Sequence, residues 1–237
     1  MKTYLYLGDG PAEHNARYLL GIAKHMKRSV VHVPPAKKLP EKILSKSFSL
    51  IIISDYPRKN ISLKVMKKIT GQVSNGAGFL MIGGWSSFSG LNGCYHQTLI
   101  EKILPVWCKA GDDRRQTASG AYFKKLKPHP VLKNIPIKTS PVIIGYNQVA
   151  QKRNSKVILQ LREKVSGRKA PLLVLGSYEK GKTAAWTSDI APHWSGGMVD
   201  WGNQRIKHQV AKNISVETGN LYVQFFSQLF RWLEKKS

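Results

Sequence analysis

Only two cysteines, Cys94 and Cys108, occur in the 237 residues, too few for a disulfide-stapled scaffold. No apolar run approaches the roughly 20 residues that cross a bilayer. The amino-terminal stretch carries one lysine and a short apolar segment before Asp9; it has neither the hydrophobic core nor the small-residue cleavage site of a secretory signal. These features predict a cytoplasmic protein that does not engage a membrane. Acidic residues are scarce as well, with 13 Asp and Glu against 38 Lys and Arg and a formal net charge of +25. The carboxylates show no Asp-x-Asp spacing, so no metal is expected, and no cofactor is expected either. No helix-turn-helix, zinc-finger or RNA-binding signature accompanies the charge, so specific nucleic-acid binding is not expected.

The positive charge is spread along the chain, in Lys24-His25-Met26-Lys27-Arg28, Lys37-Lys38, Lys67-Lys68 and Lys124-Lys125 with single residues between. Dispersed lysine reads first as a solvated surface; diffuse attraction to polyanions is the alternative. Hydrophobic residues make up 42% and charged residues 22%, ordinary values for a globular chain long enough for one well-buried α/β domain. One domain is therefore expected over 1–237, with an excursion at about 105–141 and a long loop at about 190–216.

Three apolar runs end in an aspartate: Leu5-Tyr6-Leu7-Gly8-Asp9, Ile51-Ile52-Ile53-Ser54-Asp55 and Ala185-Trp186-Thr187-Ser188-Asp189. A fourth, Phe79-Leu80-Met81-Ile82, ends in Gly83-Gly84-Trp85-Ser86-Ser87. Short apolar runs closed by Gly, Ser or Asp look like buried parallel strands, and the carboxyl ends of such strands face the ligand crevice of an open α/β sheet. Between them lie helical periodicities: Tyr18, Leu19, Ile22, Ala23 and Met26 after Pro11; a short amphipathic helix over 40–45; and a helix from Ser62 to Ser74 with Val65, Met66, Ile69 and Val73 on one face, stopped by Asn75-Gly76. Strands are expected at 4–7, 29–33, 50–53 and 78–82. The alternation predicts a mostly parallel, flavodoxin-like α/β sheet with helices on both faces. Later strands are expected at 142–146, 157–161, 172–175 and 183–187, the last two forming a hairpin through Tyr178-Glu179-Lys180-Gly181, before a terminal helix over 221–235. The excursion, with Asp112-Asp113-Arg114-Arg115 and a Lys- and Pro-rich stretch, is expected to hold at most one short strand.

Two segments suggest chemistry. Phe79 to Gly90 reads as a strand turning sharply into a helix, the geometry that exposes a nucleophile at an elbow. Ser86 and Ser87 stand at its tip, with amides behind them suited to an oxyanion; the alternative is a tight turn in which serine caps the helix. Ser188-Asp189-Ile190-Ala191-Pro192-His193-Trp194 places a histidine just past a strand end, as a general base would be, with Trp194 and Trp201 as walls. A loop histidine bonded locally is the alternative. Cys94, two residues from His96, reads as a buried free thiol, because positions two apart on a helix point away from each other.

With Leu7-Gly8-Asp9-Gly10, Ser54-Asp55-Tyr56-Pro57-Arg58, Ile82 to Phe88, His129-Pro130, Tyr146-Asn147, Ser188 to Trp194 and Val199-Asp200-Trp201-Gly202, the chain resembles the class I glutamine amidotransferase-like proteins. Within them it is similar to the putative glutamine amidotransferase branch related to trehalose-utilisation (ThuA-like) proteins. The resemblance implies a cysteine at the elbow and a His-x-Glu pair after a late strand, the histidine activating the cysteine to attack the glutamine amide. Here the elbow has Trp85, Ser86 and Ser87 and no cysteine. His193 matches the histidine, and Ser195 stands where glutamate is implied. The triad is incomplete.

The expectation is therefore a small-molecule site at the strand carboxyl ends, lined by Asp9, Asp55, Gly84, Trp85, Ser87, Trp194, Asp200 and Trp201. If it is catalytic, the chemistry is hydrolysis or amide transfer: Ser86 is nucleophile or oxyanion donor and His193 the base, oriented by Asp189 or Asp200. The alternative is a non-catalytic binding or assembly protein on the same scaffold, with polyanion binding a more distant third. Homo-oligomerisation is left open.

Overall fold

The apolar runs stand side by side in a computed structural model, which describes residues 2–235. Its strands are β1 (Thr3–Gly8), β2 (Ser29–Val33), β3 (Leu50–Ser54), β4 (Gly78–Ile82), β5 (Val106–Trp107), β6 (Arg114–Lys125), β7 (Ile143–Asn147), β8 (Ala150–Gln151), β9 (Lys156–Glu163), β10 (Lys169–Tyr178), β11 (Gly181–Trp186), β12 (Arg205–Ala211) and β13 (Ile214–Gly219). Its α-helices are α1 (Ala16–His25), α2 (Leu63–Ser74), α3 (Leu99–Ile103), α4 (Pro192–Ser195) and α5 (Asn220–Leu233). The short helix expected over 40–45 is a 3-10 turn, Glu41–Ser45.

Nine strands form one sheet in the order β2-β1-β3-β4-β11-β10-β9-β6-β7. The first five run parallel, in the flavodoxin-like order, with the switch point between β1 and β3. From β11 onward the pairings are antiparallel. Strand parity divides the core in two. Tyr4, Tyr6, Leu50, Ile52, Leu80 and Ile82 pack beneath α1 and α5. Their alternates Leu5, Leu7, Ile51, Ile53, Phe79 and Met81 pack beneath α2 and α3. Both faces are covered, which is why these strands read as unbroken apolar runs. Phe226, Leu229, Phe230 and Leu233 of α5 are fully buried, each stabilising the fold by roughly 1.5–3 kcal/mol. Ser62 caps α2 by accepting the Val65 amide at 3.3 Å, as its position before the apolar face predicts.

Three segments depart from expectation. The excursion contributes the 12-residue strand β6, which joins β9 to β7, because inward residues such as Ala121 and Phe123 alternate with exposed ones. The expected loop at 190–216 is largely ordered: it holds α4, a 3-10 turn and the ribbon β12–β13, which packs on α1. Arg205-Ile206-Lys207-His208 alternates as a strand should, and Asn213 takes the left-handed φ of 59° that the turn requires. The segment after β4 contains no helix until α3. Among the described residues, no helix is long and apolar enough to cross a membrane.

Candidate functional site

All five parallel strands point their carboxyl ends to one edge, and the antiparallel half adds the end of β7 and the start of β6 to it. The far half curls back: Asn147 donates its amide to Thr187 at 2.8 Å and Ser188 Oγ donates to the Gly145 carbonyl at 2.8 Å. The last strand of the sheet thereby closes on the end of β11.

Asp9 and Asp55 follow β1 and β3, flanking the switch point, both in the left-handed region at φ 57° and 50°. Asp9 is buried and accepts a hydrogen bond from the equally buried Tyr6 hydroxyl. Asp189, also buried, accepts the Ala191 amide at 2.9 Å. Burial, with the Asp55 charge adding to it, pushes the Asp9 carboxyl up to about 7. Burial raises Asp55 to about 6. For Asp189, burial and the charges of Asp9 and Asp55 push the carboxyl well above the usual range. The charge of Asp55 thus reaches Asp9, and the charges of both reach Asp189. Among the described residues, no cluster of three or more His, Cys, Asp or Glu side chains is arranged to hold a metal ion.

The segment after β4 is a loop held by carboxylates. Ser86 donates its amide to Asp55 Oδ1 at 2.6 Å, and Asp55 in turn donates its amide to Ser87 Oγ at 2.9 Å. Asp113 accepts the Ser89 and Gly90 amides at 2.9 and 2.8 Å. Asn147 completes the brace: its Oδ1 accepts the Gly84 amide at 2.9 Å, and its Nδ2 donates to Asp113 at 2.7 Å and to the Gly84 carbonyl at 3.2 Å. The expected strand-to-helix elbow is thus corrected. No helix begins behind Ser86, and three amides of the turn, those of Ser86, Ser89 and Gly90, already bind aspartates. Ser87 is buried within this brace.

Trp85 stands 41% exposed, with the Arg114 guanidinium 4.4 Å from its ring centroid. Arg114 forks onto Asp112 through Nε and Nη2 at 2.9 and 2.7 Å. With Gln116 and Trp194 these residues line an open recess of about 320 Å³. His193 is exposed, its ring 5.9 Å from Trp85 and 6.4 Å from Trp194. Trp194 itself is buried against Gly145.

Ser86, His193 and Asp189 do not form a relay: among the described residues, no hydrogen bond joins His193 to Ser86, Asp189 or Asp200. Asp189 spends its carboxylate on the Ala191 amide, and Asp200 is exposed and pairs with Arg205 at 2.7 Å. Trp201 also departs from the expected wall. It is buried in the core, edge-on to Phe123 at 6.4 Å. Cys94 is exposed, at φ 56°, and Cys108 is the buried thiol. Asp112, Asp113, Arg114 and Gln116 escaped prediction because the excursion lacked periodicity; Asn147 was visible only within a motif.

Residues 13–214 match the family described as "Putative glutamine amidotransferase". No curated protein matches the chain in sequence. Two structures from Salmonella typhimurium are similar to it, each 24% identical with a TM-score of 0.79: cytoplasmic protein STM3548, covering 100% of both chains, and cytoplasmic protein STM1381 of strain LT2, covering 98% of this chain and 100% of its own. A "putative thua-like protein" from Bacteroides uniformis aligns at 13% identity and a TM-score of 0.59, over 98% of this chain and 91% of that one. At these identities the structures establish the fold alone.

Proposed function

We infer that this chain, which belongs to the putative glutamine amidotransferase family, binds a small polar molecule at the carboxyl ends of its strands without forming a covalent intermediate. The observation that carries this reading is the occupation of the loop amides. The Ser86 amide binds Asp55, and those of Ser89 and Gly90 bind Asp113. An oxyanion hole needs free donors aimed at the developing charge, and a serine nucleophile needs a base within hydrogen-bond reach. The recess of Trp85, Asp112, Arg114, Gln116 and Trp194 instead offers aromatic surface with donors and acceptors together, suited to recognition. We place the activity in the cytoplasm, in keeping with the description of the two Salmonella proteins of the same fold.

Acyl transfer through Ser86 is the second reading, favoured by the His193 ring lying 5.9 Å from Trp85, the residue next to Ser86. One experiment separates the two: ligand screening by thermal shift on the wild type and Arg114→Ala, run beside a serine-directed probe read by mass spectrometry. Stabilising ligands lost in Arg114→Ala, with no adduct on Ser86, support binding. An adduct on Ser86 that disappears in His193→Ala replaces it with acyl transfer.

A further inference from the structure

The opposite edge of the same sheet holds a second recess, of about 350 Å³. Lys182 near the start of β11, Lys156 at the start of β9 and Ser177 near the end of β10 are carried there by antiparallel pairing. His129, from the loop after β6, and Trp232 of α5 complete the wall. Lys182 Nζ sits 5.0 Å from the Trp232 ring centroid, and the His129 ring meets the same indole edge-on at 5.4 Å. His129 Nδ1 accepts the Val131 amide at 3.2 Å, so the neutral ring carries its proton on Nε2, as a donor.

Among the described residues, no lining residue is acidic and neither lysine forms an ion pair. Most of the excess lysine is dispersed, yet here two ammonium groups and an imidazole share one concavity. Burial chiefly, with the charges of Lys156 and Lys182 adding to it, holds His129 below its ordinary value. An ammonium resting on an indole keeps donors for an anion on its other side. Ser177 and Asn154 add a hydroxyl and an amide to the lining.

We propose that this recess is a binding site for a small phosphate ester. A monovalent carboxylate is balanced by one of the two lysines, whereas a phosphate dianion takes both and accepts from His129, Ser177 or Asn154 as well. The ester's organic part lies against Trp232. The site is separate from the one at the carboxyl edge and does not depend on how that one is read.

The test is calorimetric titration of the full chain at about 0.15 M salt, where diffuse charge is screened beyond about 8 Å. The probes are adenosine monophosphate and inorganic phosphate. The expected result is saturable binding of the nucleotide, tighter than inorganic phosphate and weakened at least about tenfold (about 1.4 kcal/mol) in Lys156→Ala/Lys182→Ala. Lys37→Ala/Lys38→Ala, which removes the same charge from exposed positions after β2, should bind within about twofold of the wild type. Equal weakening in both double variants means diffuse attraction and overturns the site. Equal affinity for the two probes removes the role of Trp232 and overturns the ester assignment. No saturable binding of either probe up to about 10 mM also overturns it.

Discussion

Asp55 stands so close to Gly84 that a Cβ placed on the glycine would lie 2.3 Å from Asp55 Oδ1. The carboxylate fills the space that a side chain at position 84 would need, and there it binds the Ser86 amide. Gly84→Ala is therefore expected to expel the carboxylate and free that amide. The predicted cost is about 1–3 kcal/mol by urea denaturation, with faster hydrogen exchange confined to the loop after β4. Asp55→Ala should give the same exchange pattern. Unchanged protection of Ser86 in both variants would disprove the brace.

Asn147 is the only bridge we find between the Gly84 amide and the Asp113 carboxylate among the described residues. Asn147→Ala leaves a buried amide and a buried carboxylate each short of a partner. The expected loss is about 2–4 kcal/mol. It should be accompanied by a fall in the affinity of any ligand that needs Trp85 in place. Asn147→Asp should cost at least as much, since it sets a second carboxylate beside Asp113. A loss below about 0.5 kcal/mol in Asn147→Ala would show that the loop holds its shape unaided.

The parallel half was legible because its strands are buried on both faces and end in turn residues. Leu50 to Ser54 and Gly78 to Ile82 carry no exposed position to confuse the pattern. β6 was not, because it holds a left-handed glycine at 120 and alternates weakly. Asp9 and Asp55 follow β1 and β3 as their chain positions imply, but their partners were not legible. What Asp55 and Asp113 do is decided by contacts 23 to 34 residues away, and those of Asp113 exist only once the far strands curl back. A Gly-Gly-Trp-Ser-Ser run looks the same whether a helix or a carboxylate lies behind it.

The buried carboxylates should reverse the usual acid sensitivity at this edge. Asp9, raised to about 7, holds its proton in the fold at pH values where the unfolded chain, near 3.8, has released it. Stability from this group is therefore present at low pH and lost as pH rises from about 4 to about 7. Asp9→Asn retains an acceptor for Tyr6 and removes the burial cost. It should raise the melting temperature by about 2–8 °C at pH 8 and by less than about 2 °C at pH 4.5. Equal shifts at both pH values would show that the carboxyl does not titrate in this range.

His25 and His208 carry the opposite pH sign. Their Nδ1 and Nε2 atoms lie 3.2 Å apart, joining α1 to the β12–β13 ribbon, so one ring must donate and the other accept. Both rings are held below their ordinary value, chiefly by burial; Arg231 adds to the effect at His25, and His25 and Lys24 add to it at His208. Below about 6.5 the unfolded chain takes up protons that the folded pair resists, so stability is lost as pH falls through that range. Both rings are partly in water, which limits the loss to about 1 kcal/mol or less between pH 7.5 and 5.5. Hydrogen exchange in the ribbon should quicken over this interval, and His208→Gln, which offers an amide to His25 without a titrating ring, should suppress most of the change. A ribbon equally protected at both pH values in the wild type would mean that the pair does not fasten it.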